Sequence, residues 1–180
     1  MLRGILAVGL GVVMALAGVG SAGAQDDPVQ ALSGSVPASI RIPKIGTAAA
    51  VVPLGMDEDG TLDAPVDPDT VGWFMLGPGL GAPGNAILDG HVDWGGRLRV
   101  FGLLKTLQPG DEVLVTDDQG QTFHYAVTWT RLVDAATAPV DEIYAQGDDQ
   151  ELTLITCGGA FDQASHMYVS RWVVRAVSAD

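Results

Sequence analysis

The chain has 180 residues, 47% of them hydrophobic, which is enough for one domain with a real core and too few for two ordinary ones. Its 9 Lys and Arg stand against 22 Asp and Glu, a formal net charge of −13. So acidic a chain is not built to hold nucleic acid by neutralising phosphates, nor to dock electrostatically on an anionic membrane.

From the N-terminus, Arg3 precedes an apolar run from Gly4 to Val19, and the small residues Gly20 to Ala24 follow, ending in Ala22-x-Ala24. That is the make-up of a secretory signal peptide, and the run also approaches the length of a membrane anchor. Residues 1–24 are assigned to one of these two roles; under either, the remainder is exported. Residues 25–38 are polar, contain Pro and Ser and show no periodicity, so they read as a linker. The folded domain is expected over 39–180.

From Ser39 onward the pattern is mostly strand, punctuated by turn residues. Ser39–Ile45 alternates around Pro43, which suits an edge strand or a bend. Ala50–Leu54 and Gly60–Leu62 flank the acidic turn Met56–Asp59. Gly77–Gly84 is an irregular loop, and Asn85–Val92 a short buried strand. Leu98, Phe101, Leu104 and Leu107 form one stripe, predicting a helix that stops at Pro109-Gly110. Glu112–Thr116 and Thr122–Leu132 read as a hairpin around Asp117–Gly120, and Glu151–Thr156 and Met167–Val177 as two further strands. The fold class is all-β: seven or eight short strands in a barrel or sandwich, with one or two short helices. Acidic runs such as Asp57-Glu58-Asp59 and Asp117-Asp118 read as solvated loops without the spacing of a calcium site. His91, His124 and His166 are scattered without metal spacing.

Three residues carry the candidate chemistry. Cys157 is the single cysteine, so the exported chain has no internal disulfide and one unpaired thiol. It follows the apolar strand Leu152–Thr156 and precedes Gly158-Gly159, where a scaffold can present a side chain and glycines leave the backbone open to a substrate. The bland alternative is a buried, inert thiol. Arg171 alternates in phase with Val169, Val173 and Val177; an arginine on that face is either salt-bridged or a permanent cation beside Cys157, fit to stabilise an oxyanion or a thiolate. His91 ends another buried strand after Gly90 and suits proton transfer near neutrality, although a lone histidine there is more often solvated. Asp93 either orients that imidazole or finishes a turn. His124 reads as an ordinary strand residue, and His166, in a polar loop, is a weaker rival to His91.

The run TLITC (Thr153–Cys157), Arg171 fourteen positions later and GHVD (Gly90–Asp93) upstream resemble the sortase family. The framing motifs do too: RIPKIG near the domain start, VGWF (Val71–Phe74), a Pro/Gly-rich loop and GNAILDGHVD. The GHVD and TCGG variants are most similar to class F, and next to class E, sortases. The resemblance implies an eight-stranded sortase-type β-barrel outside a bacterial cytoplasmic membrane. It implies transpeptidation at an LPxTG-like sorting signal of surface proteins, onto an amine acceptor such as a cell-wall precursor or a pilin lysine. It further implies Cys157 as nucleophile, Arg171 at the oxyanion, His91 as acid and base, and Thr156 in contact with substrate, with no cofactor. Two other readings share the same residues: a cysteine hydrolase of similar peptides, and a non-catalytic β-rich module binding envelope components.

Overall fold

The structure, a computed structural model, describes residues 33–56, 62 and 64–180. The expected signal or anchor segment, most of the linker and the acidic turn at 57–59 lie outside the described residues. Ten strands dominate the rest: β1 Pro37–Ile42, β2 Thr47–Leu54, β3 Val71–Phe74, β4 Gly84–Gly90, β5 Asp93–Trp94, β6 Arg97–Leu98, β7 Glu112–Asp117, β8 Thr122–Asp134, β9 Gln150–Asp162 and β10 Met167–Ser178. Eight of them close into a barrel in the order β1-β2-β3-β4-β9-β10-β8-β7, while β5 and β6 form a two-stranded ribbon beside it. Closure leaves the barrel without the unpaired sheet edge that an open β-sheet must protect. The pairs β2–β3 and β4–β9 are parallel and the others antiparallel.

Alternation decides which side chains fill the barrel. Leu152 and Leu154 of β9 and Val174 and Ala176 of β10 point inward, packing with Trp73, Phe101 and Ile42. Complete burial of Trp73 or Phe101 contributes about 2–3 kcal/mol each. The outward face of β4, β9 and β10 is covered as well. A strap from Ala138 to Gln146, containing the single helical turn α1 Val140–Ile143, lays Ile143 over Ile87, Ile155 and Val173. Burial on both faces explains why Leu152–Thr156 carries no charged residue on either face.

Buried polar groups fasten the strap. Asn85, fully buried, donates from Nδ2 to the Ile143 carbonyl at 2.8 Å and accepts from the Thr153 hydroxyl at 2.7 Å. Its backbone N–H donates to Gln146 Oε1 at 2.8 Å. Arg175 donates from Nη2 to the Glu142 and Ile143 carbonyls at 3.0 Å each, while its Nη1 pairs with Glu151.

Strand direction gives the barrel two distinct ends. β4 and β9 run together from Gly84 and Gln150 toward Gly90 and Cys157. β10 returns from Arg171 to Ser178. β1 enters at the far end, where Ser35 bridges Leu80 and Pro37 pairs with Asp117. Both ends of the described domain therefore lie opposite Cys157.

Several expectations need correction. Residues 33–36, placed in the linker, already join the fold: Gly79 N–H donates to the Ser33 carbonyl at 2.7 Å, and Ser35 and Leu80 exchange bonds at 2.9 Å. The strand expected through Pro43 stops at Ile42, because Pro43 starts a 3-10 turn, Pro43–Ile45. The helix expected over Leu98–Leu107 is not an α-helix. Leu98 belongs to β6 and is 62% exposed, and only Leu104–Thr106 is helical, as a 3-10 turn. Phe101, Leu104 and Leu107 are buried at a spacing of three, which is the 3-10 period rather than the 3.6 of an α-helix. β9 runs on through Cys157 to Asp162, further than its apolar stretch suggested. Among the described residues, no helix is long and apolar enough to cross a membrane.

Candidate active site

The last residue of β9 paired with β4 is Ile155, opposite Asp89. Beyond it β9 keeps only β10 as a neighbour, and the sheet opens on one side at Cys157. There a cleft of about 650 Å³ is lined by His91, Asp93, Trp94, Cys157, Phe161 and Tyr168, with Val92, Gly95, Gly96 and His166 completing its wall. The half-buried Cys157 thiol thus faces a space that a peptide can enter.

Gly158 and Gly159 have a different job from the open backbone expected of them. A Cβ on Gly158 would lie 2.5 Å from Trp172 Cδ1, so the missing side chain makes room for the indole. Gly159 has φ +76° and sits where the β9–β10 register slips between Ser170↔Gly158 and Tyr168↔Phe161. Glycine adopts that left-handed backbone without strain, and the resulting bulge turns the outer arm of the hairpin over the cleft.

Arg171 is the direct cross-strand partner of Cys157. It shares the outward face with the buried Val173, while Val169, beyond the bulge, is exposed. Its Nη1 donates to the Tyr168 and Ser170 carbonyls at 2.9 Å each, which holds the guanidinium against its own strand; Arg171 is not among the residues that line the cleft. Its Nε and Nη2 make no hydrogen bond to any described residue.

His91 follows the end of β4 and faces Trp94 edge-to-face, with ring centroids 5.2 Å apart. Its Nε2 lies 2.8 Å from the Pro65 carbonyl oxygen. A carbonyl only accepts, so Nε2 carries a proton, and Nδ1 is the nitrogen left to exchange one. Pro65, rather than Asp93, orients the imidazole. Asp93 instead accepts from the Tyr168 hydroxyl at 2.7 Å.

Electrostatics at the thiol are opposed. Burial pushes Cys157 above its ordinary value; the Arg171 guanidinium pulls it down, and Asp89 and Asp93 push it up again. Burial likewise lifts the Asp89 carboxyl to about 6, against the pull of His91 and Arg171.

Thr156 is a correction. Its side chain points to the barrel interior, is 1% exposed, and donates to the Gly90 carbonyl at 2.6 Å. It cannot touch a ligand in the cleft; it ties β9 to the strand end that carries His91. His124 lies away from the cleft, exposed and 3.2 Å from Glu112, whereas His166 lines it, with φ 55°. No three His, Cys, Asp or Glu among the described residues are grouped to hold a metal ion. Trp94, Phe161, Tyr168 and Asp89 are site neighbours that sequence reasoning missed. The Trp94-Gly95-Gly96 turn just after His91 was the available signal for the first of them.

The "Sortase domain" family model matches residues 40–179. Among solved structures, sortase A of Corynebacterium diphtheriae (a lid mutant) aligns with a TM-score of 0.61 and 24% identity, over 81% of this chain and 70% of its own. Sortase C-1 of Actinomyces oris gives 0.62 and 24%, over 79% and 73%. A sortase D5 transpeptidase of Clostridium perfringens gives 0.59 and 20%, over 81% and 79%. These likenesses concern the fold. No curated protein matches the chain. With the family match spanning nearly all of the barrel, the chain belongs to the sortase family, the cysteine transpeptidases that act on sorting signals of surface proteins.

Proposed function

We propose that Cys157, His91 and Arg171 are the working residues of an extracytoplasmic transpeptidase of the class F or class E type. Its substrate is an LPxTG-like signal laid along the cleft. The observation that carries this reading is the convergence of Cys157 and His91 on one cleft, with Arg171 directly across the strand pair from the thiol.

Cys157 gives its proton to His91 and its sulfur attacks the carbonyl carbon of the signal's threonine. The C–O π electrons move to oxygen, and the oxyanion is met by the Nε or Nη2 protons of Arg171. Collapse breaks the Thr–Gly bond. The departing amine takes a proton from His91, leaving a thioacyl-enzyme. An incoming amine, from a cell-wall precursor or a pilin lysine, then attacks the thioester; His91 removes its proton and the Cys157 sulfur leaves. Because burial keeps the thiol mostly protonated at neutral pH, a nearby base is needed for the first step. Nδ1 of His91 is the nitrogen suited to it.

Residues 1–24 would serve as a signal peptide or as a membrane anchor, with 25–32 as spacer. The test is mass spectrometry of full-length protein with an LPxTG-type peptide and an excess of an amine acceptor. A peptide–amine adduct is expected. Acid product alone would make the enzyme a hydrolase, and no cleavage at all would overturn the reading.

A further inference from the structure

The steps above make no use of Asp89, yet the strand pattern sets it beside all of them. Asn85, Ile87 and Asp89 alternate onto the outward face of β4. Asn85 and Ile87 are buried beneath the strap. Asp89 continues the same row, standing opposite Ile155, which is itself opposite Val173. Two residues along β9 on that face is Cys157, opposite Arg171. A half-buried carboxylate therefore occupies the margin of an apolar cluster, where Ile or Val would pack at lower cost. None of the ion pairs among the described residues includes it.

We infer that Asp89 is a positioning residue of this site: a fixed counter-charge that opposes Arg171 across the Ile155–Cys157 row and sets how readily the Cys157 thiol ionises. The inference rests on the reading of Cys157 as nucleophile. The groups facing Asp89 are His91 just past the end of its strand, Arg171 from β10, Cys157 from β9 and Tyr144 from the strap. Asp93, the other carboxylate felt by Cys157, already accepts the Tyr168 hydroxyl proton. Burial raises the thiol, and Arg171 draws it back down. With Asp89 ionised opposite Arg171, part of that downward pull is offset, and the thiol ionises less readily than burial and Arg171 would set by themselves. As Asp89 passes to the neutral acid near pH 6, that restraint fades.

The readout is the pH dependence of iodoacetamide alkylation of the full-length protein, which is specific because Cys157 is its single cysteine. In Asp89→Asn the ionisation midpoint is expected to fall by roughly half a unit or more. The difference from wild type should shrink below pH 6. Arg171→Ala should raise the midpoint, and the double variant should fall between the two. Asp89→Glu, which keeps the charge, should stay near wild type, and thermal unfolding of each variant checks that it is folded. Superimposed curves for Asp89→Asn and wild type, or an upward shift, overturn the inference. Failure of wild-type protein to process the LPxTG-type peptide would instead strike the functional reading and leave the alkylation result standing.

Discussion

Tyr168 donates its hydroxyl proton to Asp93 across the mouth of the cleft, a 2.7 Å bond between residues 75 positions apart. One belongs to the ribbon that follows His91, the other to the arm that β9 and β10 raise beyond Cys157. The hydrogen bond to Asp93 holds the Tyr168 phenol above its ordinary value, so the donor keeps its proton throughout the neutral and mildly alkaline range. Tyr168→Phe should therefore loosen two walls at once without touching the reacting atoms. Stability is expected to fall by about 1 kcal/mol or less. KM for the peptide should rise several-fold with kcat within about twofold, a split checked by steady-state kinetics.

Each of the three proposed working residues can be removed singly. Cys157→Ala should form no thioacyl adduct by mass spectrometry. His91→Ala should lose turnover while keeping its fold. Loss of an oxyanion donor typically costs about 10²–10³ in rate, and that is the expected effect of Arg171→Ala. If Arg171→Ala retained full kcat, the oxyanion role would pass to other donors.

Asp89 also makes stability depend on pH. Its folded value, about 6, lies above the ordinary 3.8, so the unfolded chain ionises first as pH rises. Stability is then lost progressively from about pH 4 to pH 6 and stays lower by a constant amount above that. Asp89→Asn should raise stability at pH 7 by on the order of 1–3 kcal/mol and change it little at pH 3.5. Thermal unfolding at the two pH values measures both.

The side chain of the fully buried Asn85 makes two bonds that no apolar residue can replace. Asn85→Ala would strand the Thr153 hydroxyl and one of the bonds of the Ile143 carbonyl, and would open a small void. A loss of about 2–4 kcal/mol is expected in denaturant unfolding. The strap over Ile87, Ile155 and Val173 should become sensitive to limited proteolysis before the barrel does.

Gly159→Ala tests the bulge. Its Cβ would lie 2.7 Å from Ser170 Oγ on a backbone with φ +76°. The left-handed conformation alone costs about 1–2 kcal/mol for a non-glycine residue. Relief by straightening β9 would move Phe161 and Tyr168 away from Cys157, so peptide turnover should fall further than Tm indicates.

How much of this was legible in the sequence follows from what each feature depends on. The strands of β7, β8, β9 and β10 were readable because local alternation and turn residues mark them. TLITC stood out because burial on both faces leaves a segment without a charged residue, its only hydroxyls being Thr153 and Thr156. Barrel closure was not readable from pattern alone, since β4–β9 pairing joins Gly84 to Gln150 and no local signal encodes that register. The stripe from Leu98 to Leu107 misled because a spacing of three serves a helix and a 3-10 turn alike. Thr156 could be located but not oriented: whether a strand-end side chain enters the cleft or the interior depends on parity, and its acceptor, Gly90, is 66 residues away. Asp93 was noticed for its nearness to His91, whereas its hydroxyl partner lies on the last strand.

The opposition of Ser35 and Ser178 to Cys157 along the barrel axis has a practical reach. Any cargo, tether or solid support joined at either edge of the domain is carried at the rear of the barrel, and the reactive mouth points outward from it. A protein held in this way presents its thiol to whatever passes in front, with the full depth of the β-barrel as its stand-off.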